Sequence, residues 1–188
     1  MNQIRITGGH LRGKSINAAE GHDARYTASM VREAIFNTIG DVTGKRILDL
    51  FAGIGSFTVE SLSRGALSAT CVENDRTRVG ILRSNLDTLS LNRYCDVLDM
   101  DVIYAVPFLS SRGNLYDIIF MDPPYGKGLL TETMRLLEKH VIYSKETIVI
   151  MEHSKREKFS DSEFSSFHIW KTRNYGDTSI TMLLMSIS

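Results

Sequence analysis

The sequence predicts an α/β fold in which a mostly parallel sheet is covered by helices on both faces, and three observations carry this. Short β-branched and aromatic runs alternate with stretches of helical periodicity along the 188 residues. Acids and glycines recur where the runs end, as in Asp49-Leu50-Phe51-Ala52-Gly53-Ile54-Gly55, at Glu73 and at Asp101. The apolar run Ile118-Ile119-Phe120-Met121 stops at Asp122-Pro123-Pro124-Tyr125, where proline removes a ladder donor. Ligands of open α/β sheets bind outside the carboxyl ends of the strands, so those ends are where chemistry is expected.

Each element follows from its local pattern. Gln3 to Ile16 alternates around Gly8-Gly9 and reads as a small β-hairpin too short to own a core. Val31, Ala34, Ile35, Thr38 and Ile39 fall at helical spacing behind Ser29, a candidate N-cap, with Arg32 and Glu33 free to lie off the buried face. Arg46 to Phe51 is the first central strand, and a helix from Ser56 stops at Arg64-Gly65. Ser68 to Glu73 is a second strand, followed by a helix to about Leu89. Tyr94 to Leu98 is a third, followed through Asp99-Met100-Asp101 by a helix to Val106. After the strand before Asp122, Leu130, Met134, Leu137 and Val141 form one stripe of an amphipathic helix. Thr147 to Met151, Phe164 to Trp170 and Ser179 to Met185 complete the sheet, with Trp170 expected to pack.

The length suits one domain with a small appendage: residues 1–27 as a basic N-terminal hairpin arm and 28–188 as the body. Lys plus Arg number 22, as do Asp plus Glu, so any polyanion site must be a local patch rather than a global field. Arg5, His10, Arg12, Lys14 and Arg25, with few acids beyond Glu20 and Asp23, form such a patch, and its glycines would permit close approach to phosphate. No run approaches the ~20 apolar residues of a membrane span, and Met1 to Arg5 lacks a signal-peptide core, so a cytoplasmic protein is expected. Cys71 and Cys95 have no partner at metal-ligand spacing and read as buried free thiols; no metal is expected.

The glycine turn after Asp49 lets a ligand approach the backbone at a helix start. Thr58 occupies the third position of a G-x-G-x-x-G pattern, which disfavours a dinucleotide. Glu73 stands where an acid accepts both hydroxyls of a ribose, and Asp101 where one accepts an adenine amine, with Val102 as apolar contact. An adenosine-containing ligand fits these acids. The carboxylate of Asp122 and the carbonyl of Pro123 suit the two N–H bonds of a planar amine, and the Tyr125 ring suits stacking on the base that bears it. Glu152 and His153 after the fifth strand are lesser candidates for lining that pocket.

Taken in order, Asp49 to Gly55, Glu73, Asp101 and Asp122 to Tyr125 resemble class I methyltransferases with a Rossmann-like fold. Arg5-Ile-Thr-Gly-Gly-His-Leu-Arg-Gly-Lys14, Arg25-Tyr-Thr27 and Val31-Arg-Glu-Ala-Ile-Phe-Asn37 resemble more specifically the RsmD family of bacterial 16S ribosomal RNA guanine-N2 methyltransferases. Tyr26 stands where that family usually has proline, and Ser29-Met30 where Asp-Arg is usual. The resemblance implies a seven-stranded sheet with a reversed last hairpin and S-adenosylmethionine as cofactor. The cofactor would be held by Asp49, Phe51, Ala52, Gly53 and Gly55, then by Glu73, Asp101, Val102 and Asp122. It further implies catalysis by Asp122, Pro123 and Tyr125, with 16S ribosomal RNA, free or in an assembling small subunit, docked by Arg5, His10, Arg12, Lys14, Arg25 and Arg32. A monomer is expected. Rival readings are an adenine-N6 methyltransferase on DNA or RNA, which shares Asp-Pro-Pro-Tyr, and a non-catalytic RNA-binding module. A protein-glutamine methyltransferase would normally carry Asn in place of Asp122.

Overall fold

The computed structural model describes residues 3–18 and 25–186, apart from the side chains of 25–28. Glu20, Asp23 and the side chains of Arg25 and Tyr26 therefore lie outside the described residues. The strands are β1 (Gln3–Arg5), β2 (Ser15–Asn17), β3 (Arg46–Leu50), β4 (Ser68–Glu73), β5 (Cys95–Asp99), β6 (Tyr116–Met121), β7 (Tyr143–Ser154), β8 (Phe167–Tyr175) and β9 (Thr178–Met185). The helices are α1 (Arg25–Ile39), α2 (Ser56–Ser63), α3 (Arg76–Thr88), α4 (Val102–Ser111) and α5 (Leu129–Lys139).

β1 and β2 pair antiparallel, while the other strands form a seven-stranded sheet ordered β5-β4-β3-β6-β7-β9-β8. From β5 through β7 the pairs are parallel, and β9 runs antiparallel between β7 and β8. This is the mostly parallel α/β sheet that the sequence pattern predicts, with the seven strands and reversed last hairpin that the family resemblance implies. β3 has β4 on one side and β6 on the other, so the strand order reverses there and opens a crevice beyond their carboxyl ends.

Two apolar layers sandwich the sheet, as period-two alternation requires of strands buried on both faces. Ile47, Ile118, Phe120 and Ile150 face α1, α2, α3 and the hairpin, where Phe57 stacks on Phe120 with ring centroids 4.0 Å apart. Leu48, Leu50, Ile119, Met121 and Met151 face α4 and α5. Ile4, Ile6, Leu11 and Ile16 of the hairpin are buried in the first layer, so the hairpin packs on the same core as the sheet.

Several boundaries differ from expectation. α1 begins at Arg25, so Ser29 is inside the helix rather than capping it. α4 runs through Pro107 to Ser111, losing only the bond Pro107 would have donated to the carbonyl of Ile103, a solvent-exposed residue. α5 stops at Lys139, leaving Val141 exposed instead of on the buried stripe. Trp170 is exposed, because it occupies an irregularity in the β8–β9 register on the edge strand. Cys71 and Cys95 are free thiols as expected, but only Cys71 is buried: Cys95, on the edge strand β5, is half-buried, and adjacent strands bring the two sulfurs to 3.5 Å. Among the described residues no helix is long and apolar enough to cross a membrane, and no acid, His or Cys cluster could hold a metal.

Candidate active site

The turn after β3 is built for close approach. Phe51 (φ 66°), Gly53 (φ 57°) and Gly55 (φ 83°) have left-handed backbones, a costly conformation for phenylalanine that functional turns often retain. A Cβ on Gly55 would fall 2.2 Å from Leu82 Cδ1, whereas one on Gly53 would meet nothing within 4 Å. Gly55 is thus required by packing, and the space above Gly53 is open to a ligand. The Gly53 amide donates to Glu73 Oε2 (2.8 Å), while the Asn74 and Asp75 amides donate to Oε1 (3.1 and 2.9 Å). Three backbone donors fix this buried carboxyl at the end of β4 and use both acceptor sites of Oε1, leaving one on Oε2 to accept a ribose hydroxyl.

Asp49 lies beneath the turn at 2% exposure and accepts from the Thr58 hydroxyl at 2.7 Å. Burial pushes its carboxyl up to about 7, opposed by the Thr58 bond and assisted by the charge of Asp122. Thr58, which the glycine pattern leaves looking like a mere absence, is therefore the residue that orients Asp49. Asp101 is the N-cap of α4, two residues past the end of β5: its Oδ1 accepts from the Ile103 amide (3.0 Å) and its Oδ2 from Asn74 (2.9 Å). One lone pair on each oxygen is committed to the fold, leaving one apiece for an amine. Phe51, Met100 and Val102 with Glu73 and Asn74 line a narrow cleft at this point. Met100 and Asn74 carry no motif, and only their neighbourhood reveals them. The open glycine, the ribose-type acceptor and the apolar lining match the chemistry of an adenosyl group, while the cleft itself, about 10 Å³, has room for no more than a water until its walls part.

Asp122 directly follows β6, with its side chain open to the crevice. The surrounding protein mass raises its carboxyl to about 7, against a lowering pull from Arg78. Pro123 is buried, and among the described residues no hydrogen bond reaches its carbonyl oxygen. Tyr125 is exposed, its hydroxyl 3.2 Å from that of Thr178 on β9, which holds the ring over the crevice mouth. A carboxylate, an unused carbonyl and an aromatic face thus follow one another at the end of β6, the strand next to β3 and its glycine turn. Glu152, at the end of the parallel part of β7, stands beside Asp122: the charge of Asp122 adds to burial in raising the Glu152 carboxyl to about 8. His153 points elsewhere, bonding Thr181 and the Ser154 carbonyl (both 2.9 Å) and packing edge-on against Phe159.

The cations sort into two groups. Arg5, His10, Arg12 and Lys14 lie exposed on the outer side of the hairpin. Arg32 does not join them. It is 5% exposed and its guanidinium donates to Glu60 (3.2 Å) and to the Arg5 carbonyl (2.9 Å), since this position on α1 faces the hairpin and not the solvent. Glu60 also accepts from the Thr7 amide (2.9 Å) and hydroxyl (2.7 Å) and from Arg64. Burial by itself would raise the Glu60 carboxyl, but the Thr7 bonds and the Arg32 charge prevail and hold it below its ordinary range. Two of the hairpin glycines are also needed for packing: a Cβ on Gly8 would lie 2.3 Å from the Arg64 guanidinium and one on Gly9 1.8 Å from the Ser63 carbonyl oxygen, to which the His10 amide donates at 2.8 Å.

The family model described as conserved hypothetical protein 95 matches residues 4–184. Ribosomal RNA small subunit methyltransferase D of Escherichia coli is 38% identical over 151 residues, covering 80% of this chain and 74% of that one. YlbH of Bacillus subtilis is 30% identical over 95% of this chain and 97% of its own. The solved structure of yhhF from Escherichia coli superposes over the whole of both chains with TM-score 0.84 at 30% identity. With the hairpin, the glycine turn and the Asp-Pro-Pro-Tyr corner all inside the matched span, the chain belongs to the RsmD family of methyltransferases.

Proposed function

We propose that the protein methylates the exocyclic N2 amine of a guanine in 16S ribosomal RNA, using S-adenosylmethionine, and that it does so in the cytoplasm as a monomer. The observation that carries this is the corner after β6, where Asp122, Pro123 and Tyr125 follow the strand next to β3 at the same sheet end as Glu73, two strands away. When bound, the cofactor supplies an electrophilic methyl on sulfur and departs as the thioether. Asp122 and the Pro123 carbonyl accept the two amine hydrogens, which localises a lone pair otherwise delocalised into the ring and stabilises positive charge arising on nitrogen. Orientation more than acid/base chemistry drives the step; the surplus proton leaves through Asp122 to solvent. Tyr125 stacks on a base splayed from its strand, the usual way proteins read RNA by sequence. Glu73 holds the ribose, and Asp49 the charged end of the cofactor. The outward cations Arg5, His10, Arg12 and Lys14 make the hairpin the RNA-contacting arm of the domain, gripping phosphate by charge.

The test is transfer of labelled methyl to small-subunit RNA, naked and in partly assembled particles, followed by nucleoside analysis. N2-methylguanosine is expected, lost in Asp122→Ala while cofactor affinity by calorimetry stays within a few-fold. Label in methyladenosine would move the substrate to adenine, and a fully active Asp122→Ala would remove Asp122 from the reaction.

A further inference from the structure

Asp49, Asp122 and Glu152 stand at the ends of β3, β6 and β7, and alternation assigns all three to one face of the sheet. Ile118 and Phe120 belong to the layer under α1 and α2 while Ile119 and Met121 belong to the other, so Asp122 continues the first. Ile150 and Met151 divide in the same way, which puts Glu152 on that face too. Met121 is in register with Met151 across the parallel pair, so Asp122 and Glu152 are lateral neighbours, on the order of 5 Å apart at the backbone. On the other side Glu152 pairs with Ile180, two residues from Thr178, which engages the Tyr125 hydroxyl.

The carboxyl of Glu152 is therefore in the crevice between the amine-holding acid and the stacking ring. It is partly solvent-accessible, so a base can reach it, and among the described residues it enters no salt bridge. Placing a second acid beside Asp122 is unfavourable unless something with donors lies against both. The reaction derived above makes no use of it.

Resting on the guanine-N2 reading, we propose that Glu152 is the specificity-determining residue of the base pocket, a carboxyl oxygen that accepts the N1–H of the guanine whose N2 amine Asp122 and Pro123 hold. The chemistry of the base edge supports this. Guanine presents adjacent donors at N1 and N2, so two neighbouring acceptors match it; adenine presents a bare lone pair at N1, which a carboxyl acceptor repels. Ionised Glu152 has acceptors only and makes the selection, whereas the protonated acid donates to a bare N1, so the preference for guanine sharpens above about pH 8; a donor held between the two acids relieves the repulsion between them. Arg32 of α1, whose charge is felt at Glu152, is already committed to Glu60, which keeps it from neutralising Glu152 by contact.

The experiment measures single-turnover methylation of RNA carrying either guanine or 2-aminopurine at the methylated position. 2-Aminopurine keeps the exocyclic amine but offers an acceptor at N1. Wild type is expected to prefer guanine by roughly 100-fold or more, since a site built to bond a substrate N–H rejects the analogue lacking it. Glu152→Leu is expected to lose about 10- to 100-fold on guanine with little change on 2-aminopurine, collapsing the ratio, and Glu152→Gln to restore most of it through its amide oxygen. An unchanged ratio in Glu152→Leu, or wild type accepting both bases equally, would overturn the assignment; the second arm needs no variant to fold. Label from wild type on another atom or base would instead refute the guanine-N2 reading, and Glu152 as its N1 reader with it.

Discussion

Glu60 is a buried charge on which several elements depend at once. Its carboxylate is 1% exposed and ties three elements together: the hairpin through Thr7, α1 through Arg32 and its own helix through Arg64. Glu60→Gln keeps the size and one acceptor oxygen but leaves the buried Arg32 guanidinium facing a neutral amide. Breaking a buried pair from one side costs about 3–5 kcal/mol, because the remaining charge is stranded. The Arg5 carbonyl still accepts from Arg32, so the low end applies, about 3 kcal/mol. For a chain of this size that is a fall of roughly 6–12 °C in melting temperature. Thermal and urea unfolding followed by circular dichroism would read it.

The pH dependence provides a second check on the same residue. The folded-state pKa of Glu60 lies below its ordinary value, so its contribution is full above the unfolded carboxylate pKa and is lost as pH falls through the folded one. The difference between wild type and Glu60→Gln should therefore be largest at neutral pH and shrink in acid. A variant melting within about 2 °C of wild type at neutral pH would refute the reasoning, showing that Arg32 is not stranded without its partner.

Three further outcomes are expected. Tyr125→Ala should weaken RNA binding by about 1–3 kcal/mol, seen as a raised KM for RNA with cofactor affinity unchanged; an unaltered KM at limiting RNA would argue against stacking. Gly9→Ala should destabilise by at least ~1–3 kcal/mol and lower RNA affinity, whereas Gly13→Ala, with an equally left-handed backbone but nothing closer than 3.5 Å to its Cβ, should cost less. Equal losses on denaturation would mean that the clash with Ser63 is not what matters. Asp122 must be ionised to stabilise the positive charge arising on nitrogen, and its carboxyl is raised to about 7, so kcat/KM for RNA should fall as pH drops through that value. A rate flat down to about pH 5.5 would separate that ionisation from the chemistry.

Much of the molecule was legible in the chain because its signals are local. Strand ends marked by acids, glycines and prolines are short-range events, so Asp49, Glu73, Asp122 and the order of β3 to β7 could be read before any contact was known. The boundaries that failed are those where the local signal is cheap to override. Pro107 sits in α4 at the loss of one hydrogen bond facing solvent, and the register irregularity in edge strand β8 turns Trp170 outward despite its apolar ring.

What the sequence by itself determined is the alternation of strand and helix and the chemistry at each strand end, since periodicity, turn residues and caps act within a few residues. Tertiary structure alone decided how those ends are used. It turned Arg32 inward onto Glu60, put the hairpin glycines against α2, assigned Thr58 to hold Asp49 and laid Glu152 beside Asp122. Residues as far apart in sequence as Arg32 and Glu60, 28 positions, meet only when the elements pack, and even Asp49 and Thr58, 9 apart, need the turn between β3 and α2 to bring them together; the desolvation that then shifts Asp49, Asp122 and Glu152 depends on everything packed around them.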